Sequence, residues 1–375
     1  MFARPLHLAA LVLATATIIT VHANGSQRKA GTGLAWLLAD MLTTLSTDQA
    51  NSPRVKHRLE DEARELVVLS RHDHGERMAG DPTARTMMDL LESESREVEF
   101  AVREGRMPYA RRLLVNVSRS CVACHTSAQD EPLYVTPQLL RRAEGLRPLE
   151  RAPLLQALRR YDEAASVYAS VVRDEGAPPR ERSRAAEEGL ALAVRVQRSA
   201  PAARAVIQAV MESHGTAASL RESAASWSRA VEAWEAEASD GARPTEAQLA
   251  DNAQRLVAEG MAVTNEGNPG AGAVQLHRAA NMAHEQLARF PQGARAAEAS
   301  YVLGVAWREL PTLSEWFVHP AFLDRCVRMA PHTPVAKDCA REYEVSMTEE
   351  FRPAAGEALP REVAHRLSVI QALSR

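Results

Sequence analysis

Residues 112–125 read RLLVNVSRSCVACH, and this stretch predicts both a helix and its chemistry. Apolar and potential ligand side chains recur every four residues, at Leu113, Val117, Cys121 and His125. That spacing places side chains on one face of an α-helix. The last five residues form a C-x-x-C-H motif, the pattern of covalent haem attachment. We expect Cys121 and Cys124 to bond to the porphyrin vinyl groups and His125 to be the proximal ligand of the iron.

Two other uses of the motif are disfavoured by the rest of the sequence. A structural zinc site needs four ligands, and no second C-x-x-C occurs in the chain. A thioredoxin-type redox motif needs a βαβ setting, whereas the flanking sequence has helical periodicity. Chance occurrence of the pentapeptide is the third alternative. The motif occurs once, so the sequence predicts one haem c and no second haem.

The amino-terminal residues, 1–23, have the pattern of a secretory signal peptide. Arg4 provides the positive charge, an apolar run extends from Leu8 to Val21, and residues 21–23 form a small-residue cleavage site. The apolar run is short for a transmembrane helix, so an uncleaved anchor is the alternative. We therefore expect a periplasmic mature protein without an integral membrane segment after cleavage.

The composition indicates an all-α protein and excludes two classes of partner. The net charge is -3 with both signs mixed along the chain, which argues against nucleic-acid binding and against a polybasic membrane surface. Aromatic residues make up 5% of the chain, and apolar residues recur at helical spacing.

The stretch 24–131 is predicted to form four helices. The first is expected to be amphipathic, with one apolar face formed by Leu34, Leu37, Leu38, Met41, Leu42 and Leu45. The second is expected from about Pro53 to Leu69, and the third from about Thr83 to a C′ glycine at Gly105. The fourth is expected to begin at Pro108 and to continue through Cys121. A haem on its apolar face would lie inside a four-helix bundle.

This part of the chain resembles the class II c-type cytochromes, which include the cytochromes c′ and their low-spin relatives. The resemblance rests on residues 100–105, Arg112-Leu113, Val117 and residues 120–125. It implies a four-helix bundle with the haem motif at the end of the last helix. Residues 126–129 read TSAQ in place of the aromatic–basic pair that often follows the motif in the family.

The second iron ligand decides between electron transfer and gas binding. The resemblance implies Met41, because low-spin members of the family take a methionine from the first helix. A methionine on an apolar face is also a common core residue, so core packing is the alternative reading of Met41. Weaker candidates for the ligand are Met87, Met88, His72 and His74.

The stretch 132–375 is predicted to be a helical repeat region. Residues 160–168, 279–291 and 296–304 resemble helices of tetratricopeptide repeats, with Pro291 between the last two. Stacked helix pairs commonly bind another protein, so we expect this region to dock a redox partner. The alternative is a helical domain without a partner.

Cys326 and Cys339 are predicted to form a disulfide. They are equidistant from a turn marked by Pro331 and Pro334, and residues equidistant from the turn of a helical hairpin lie opposite each other. An oxidising compartment permits the bond, and two buried free thiols are the alternative.

These features predict a non-enzymatic periplasmic electron-transfer protein with a single haem. A haem-based gas or redox sensor with five-coordinate iron is the main alternative. A third possibility is an assembly scaffold in which haem only stabilises the first helices.

Overall fold

The computed structural model of the protein describes residues 33–72, 82–124, 136–237, 243–264, 268–310, 318–351 and 358–375. In these ranges the chain forms sixteen α-helices and no β-strand, which confirms the predicted all-α class. The predicted signal peptide lies outside the described residues. No described helix is long and apolar enough to cross a bilayer.

The helices are numbered in chain order. The first eight are α1 (Gly33–Leu45), α2 (Pro53–His72), α3 (Pro82–Arg103), α4 (Met107–Cys124), α5 (Pro137–Glu144), α6 (Pro148–Ala157), α7 (Tyr161–Arg173) and α8 (Pro179–Ala191). The others are α9 (Ala200–Glu212), α10 (Ala218–Ala236), α11 (Glu246–Thr264), α12 (Ala273–Arg289), α13 (Ala296–Glu309), α14 (His319–Met329), α15 (Pro334–Glu350) and α16 (Arg361–Ser374). A 3₁₀ turn (Asp48–Asn51) precedes α2, and a π-helical turn (Leu192–Val196) extends α8.

The first four helices contact one another in a closed cycle, α1 with α2, α2 with α3, α3 with α4, and α4 with α1. Their bounds confirm the four helices predicted in this part of the chain. α3 ends as predicted, because Gly105 has a left-handed φ of 73°. The N–H of Arg106 then donates to the carbonyl oxygen of Ala101 at 2.8 Å, the hydrogen bond that closes a helix at a C′ glycine.

All six residues of the predicted apolar face of α1 are buried, and the polar residues Asp40, Thr43 and Thr44 of the same helix are buried as well. The reason is that α5 and α6 also pack on this helix. Arg142 of α5 donates to Asp40 Oδ1 at 2.7 Å and to Thr44 Oγ1 at 2.8 Å. The polar residues of α1 therefore face a later part of the chain instead of water.

The core of the first four helices continues into the next two. The segment from α5 to the end of α6 adds five buried residues to it, Leu139, Ala143, Leu146, Leu154 and Leu158. The predicted domain boundary at residue 131 lies outside the described residues.

A second core extends from α6 to α14 and contains Trp227 and Trp307, both 0% exposed. Most consecutive helices contact each other along this region, with α10 and α11 as the exception, and α12 also contacts α8, the π-helical turn and α10. In a regular solenoid each repeat contacts only its neighbours. This region therefore folds back on itself at α12.

Small residues permit close contact between several consecutive helices. A Cβ at Gly272, just before α12, would lie 2.3 Å from the carbonyl oxygen of Gly260 in α11. A Cβ at Gly304 in α13 would lie 2.4 Å from Leu323 of α14. At Gly272 the obstacle is backbone, so a side chain there would force α11 and α12 apart, whereas a side chain at Gly304 would require Leu323 to move.

A third core joins α14, α15 and α16 and contains both Cys326 and Cys339, each 0% exposed. The structure places their sulfur atoms at disulfide distance, 1.91 Å apart, with the Cα atoms 6.2 Å apart. The two cysteines lie on α14 and α15, the helices that flank the turn predicted from the two prolines. α14 also contacts α3, so the end of the chain meets the first four helices.

Candidate functional site

Helix α4 carries the predicted haem-binding residues. It runs without interruption from Met107 to Cys124, as the periodicity of the sequence predicts. Cys121 and Cys124 are three residues apart in the sequence of this helix, a spacing that corresponds to one face in helical register. His125 lies outside the described residues. Two thiols on one side of a helix and an adjacent imidazole are a donor set that fits covalently bound haem.

One line of α4 faces the core of the first four helices. Its members Ala110, Leu114 and Val117 are all 0% exposed. Cys121, four residues after Val117, occupies the next position of this line in the helical register. Leu113, which the sequence pattern placed on the buried line, is only partly buried, and Leu114 takes the central position.

Met41 lies in α1, is 0% exposed and belongs to the same core as Leu114 and Val117. α1 contacts α4 directly, so Met41 and the attachment residues are carried by neighbouring helices. Ligation of the iron by Met41 stays a prediction.

The other ligand candidates have less favourable positions. Met87 and Met88 lie near the start of α3, and Met87 packs against the second core. His72 is the last residue of α2, and His74 lies outside the described residues.

The opposite line of α4 contacts later helices, which the sequence pattern did not reveal. Arg111 Nη2 lies 2.5 Å from Glu150 Oε2 of α6. Arg119 Nε lies 3.0 Å from Glu188 Oε1 of α8, and its Nη2 is 3.4 Å from the carbonyl oxygen of Leu149. Arginines at this eight-residue spacing look like an exposed face in sequence, but here they join α4 to α6 and α8.

The carboxylates that meet this line are buried. Burial alone would raise the pKa of Glu150, but hydrogen bonds from Arg147 and Arg111 outweigh it and hold the pKa below its usual range. Glu188 accepts hydrogen bonds from Tyr168 Oη at 2.7 Å and from Arg184 Nε at 2.7 Å. Burial, with the charge of Glu188 beside it, raises the pKa of Tyr168 well above its usual range. Tyr168 therefore stays a neutral hydrogen-bond donor.

A second group of buried polar side chains lies in the second core. The guanidinium Cζ of Arg195 is 5.8 Å from the ring centroid of Trp307, and Asn281 Nδ2 donates to the carbonyl oxygen of Val194 at 2.9 Å. Burial, together with the charge of Arg195, holds the pKa of His277 well below its usual range. Among the described residues, no three His, Cys, Asp or Glu side chains are placed to bind a metal ion.

No protein-family model matches the chain, and no curated protein or solved structure has significant similarity to it.

Proposed function

We propose that the protein is a periplasmic c-type cytochrome that carries one haem and transfers electrons without catalysing a reaction. The observation that carries this proposal is the position of the C-x-x-C-H motif. Both cysteines belong to α4, and the preceding residues of the same helical register, Ala110, Leu114 and Val117, are buried in the core of the first four helices. Each of the helices α1 to α4 contacts two others of the set, as in four-helix bundles that hold a cofactor in the core.

The roles of the residues follow from their chemistry. Thioether bonds from Cys121 and Cys124 would fix the porphyrin to α4, and His125 would bind the iron from the same end of the helix. Met41 would bind the opposite side of the iron from α1. Haem with His and Met ligands accepts and releases one electron at a relatively high potential. The buried apolar side chains around Val117 would exclude water from it.

The larger helical region would dock the redox partner. The resemblance of residues 160–168 and 296–304 to helices of tetratricopeptide repeats supports this role, since such repeats commonly bind another protein. Its contacts with α4 hold any surface that it offers to a partner at a fixed position relative to the attachment residues.

The main competitor of electron transfer is a gas or redox sensor with five-coordinate iron. The burial of every residue of α1 from Leu37 to Leu45 favours it, because packing alone also accounts for a methionine in such an enclosed stretch. In that case Met41 would fill the core and the distal side of the iron would be open to a small ligand.

An absorption spectrum of the purified protein distinguishes these functions. We expect covalent haem that survives acid–acetone extraction, with a weak far-red band typical of methionine ligation. Met41→Ala should abolish that band and produce a spectrum that carbon monoxide shifts. Met347→Ala is the matched control, since Met347 is a buried methionine on α15 with 4% exposure.

Three results would contradict parts of the proposal. Extraction of the haem by acid–acetone would overturn covalent attachment. A carbon monoxide-sensitive, high-spin spectrum in the wild-type protein would favour the sensor. A far-red band that persists in Met41→Ala would exclude Met41 as the ligand.

A further inference from the structure

The larger helical region contributes a buried carboxylate to the end of α4 that carries the cysteines. Glu188 of α8 has a side chain that is 9% exposed, and Arg119 of α4 has one that is 16% exposed. The two groups are 3.0 Å apart, yet Arg119 Nε is not aligned to donate a hydrogen bond. Their attraction is therefore mainly Coulombic, and it acts where few water molecules screen it.

Glu188 is held firmly in this position from its own side of the contact. Tyr168 of α7 donates to Oε2, while Arg184 of α8 donates to Oε1, the oxygen nearest Arg119. Tyr168 is 1% exposed and packs in the second core, so it cannot move without disturbing that core. The carboxylate is thus a fixed charge.

Arg119 is also held in place by several contacts, and it is close to the attachment residues along the helix. Its guanidinium also lies near Asn116 Oδ1, at 3.0 Å, and the carbonyl oxygen of Leu149, at 3.4 Å. Cys121 is two residues further on in the same uninterrupted helix, which corresponds to a rise of about 3 Å along its axis. Glu188 and Arg119 are therefore two opposite, fixed and buried charges beside the last turns of α4.

We propose that Glu188 and Arg119 are positioning residues of the haem site, which hold the cysteine-bearing end of α4 and set the reduction potential through their charges. The inference rests on the proposed function and deepens it. It makes the larger region a part of the redox centre in addition to a docking surface. A negative charge near the iron favours the oxidised form, and a positive charge favours the reduced form.

The midpoint potentials of two single variants test the proposal. Glu188→Gln removes the negative charge, so the ratio of reduced to oxidised protein at a fixed potential should rise roughly threefold or more. Arg119→Gln removes the positive charge, so the same ratio should fall by a similar factor. Glu188→Asp keeps the charge and should restore a potential close to that of the wild type.

The control is Glu235→Gln, which removes the acidic partner of an exposed ion pair between α10 and Arg204 of α9. We expect no shift in the potential of this variant, because solvent screens exposed charges. Hydrogen exchange of peptides from residues 107–124 provides a second measurement that does not depend on the potential. It should become faster in Glu188→Gln and in Arg119→Gln, and should be unchanged in Glu235→Gln.

Midpoint potentials that shift in opposite directions in the two variants would support the proposal. Shifts in the same direction would overturn it, because a loosening of α4 without an effect of charge would move the potential in the same direction in both variants. Unchanged potentials would overturn it as well. If one variant does not fold, the direction of the shift in the other variant still tests the proposal. A wild-type protein without covalent haem would contradict the proposed function itself, whereas these results contradict only the role of Glu188 and Arg119.

Discussion

At the scale of single residues, the buried histidines show how the fold controls charge. Burial holds the pKa of His277 well below its usual range, with a further contribution from Arg195, and burial lowers that of His319 to about 4. Each imidazole is neutral in the folded protein at neutral pH. In the unfolded chain each of these histidines binds a proton near pH 6.5, whereas in the folded protein neither binds a proton at that pH.

This difference predicts a loss of stability in mild acid. The unfolded state binds more protons below about pH 6.5, so the free energy of unfolding should fall by up to about 1.4 kcal/mol per pH unit for each such histidine. For His319 the fall should end near pH 4, where the folded protein also binds the proton. Urea unfolding at several pH values measures this change in the free energy of unfolding.

His277→Gln should make this pH dependence less steep, because glutamine does not titrate. His57→Gln is the control, since the side chain of His57 is 74% exposed. An equal slope in the wild type and His277→Gln would contradict the account of His277.

At the scale of helices, the fold depends on close contact between consecutive elements. The carbonyl oxygen of Gly260 in α11 occupies the space that a side chain at Gly272 would need. The obstacle is backbone, which cannot rotate away as a side chain can. The glycine is therefore required by packing, since its own φ of -85° is open to any residue.

Gly272→Ala should accordingly destabilise the protein, by about 1–3 kcal/mol or more, because it overpacks the contact between α11 and α12. Chemical denaturation measures the change. Gly145→Ala is the control: its Cβ would lie 3.4 Å from the nearest atom, so a change of less than about 0.5 kcal/mol is expected. Equal stability of the two variants would show that α11 and α12 can separate at little cost.

The disulfide is a second prediction at this scale. Mass spectrometry of peptides without reduction should show Cys326 linked to Cys339, which the structure places at disulfide distance on α14 and α15. Replacing both cysteines by alanine should lower the free energy of unfolding by about 3 kcal/mol. A cross-link that closes a loop of this length typically stabilises a protein by that amount, because it restricts the unfolded chain. Free thiols at both positions would contradict the prediction.

Local patterns in the sequence predicted where the helices lie, but they did not predict which other helices each one contacts. The spacing of apolar residues and the glycine at position 105 located the first four helices, because these signals act within a few residues. The burial of Asp40 against Arg142, and of Arg119 against Glu188, was not predictable in this way. Each pair joins residues far apart in the chain, and a charged residue in a helix ordinarily faces water.

At the scale of the whole molecule, the two parts of the chain are packed together at several places. α4 contacts α6 and lies beside α8, and α3 contacts α14 near the other end of the chain. Apolar side chains of α5 and α6 complete the core around α1. The sequence predicted two successive domains, and it contains no local signal for contacts between them.

The contact between α4 and α8 has a consequence for how the protein is made. α4 is synthesised before α8, so for a time its last turns have no partner on the side of Arg119. In the function proposed above, an enzyme that attached haem to Cys121 and Cys124 would need access to both thiols, and the nascent chain would provide that access in this interval. Closure of α8 onto α4 would then end maturation, so a slow attachment step would compete with folding of the rest of the chain.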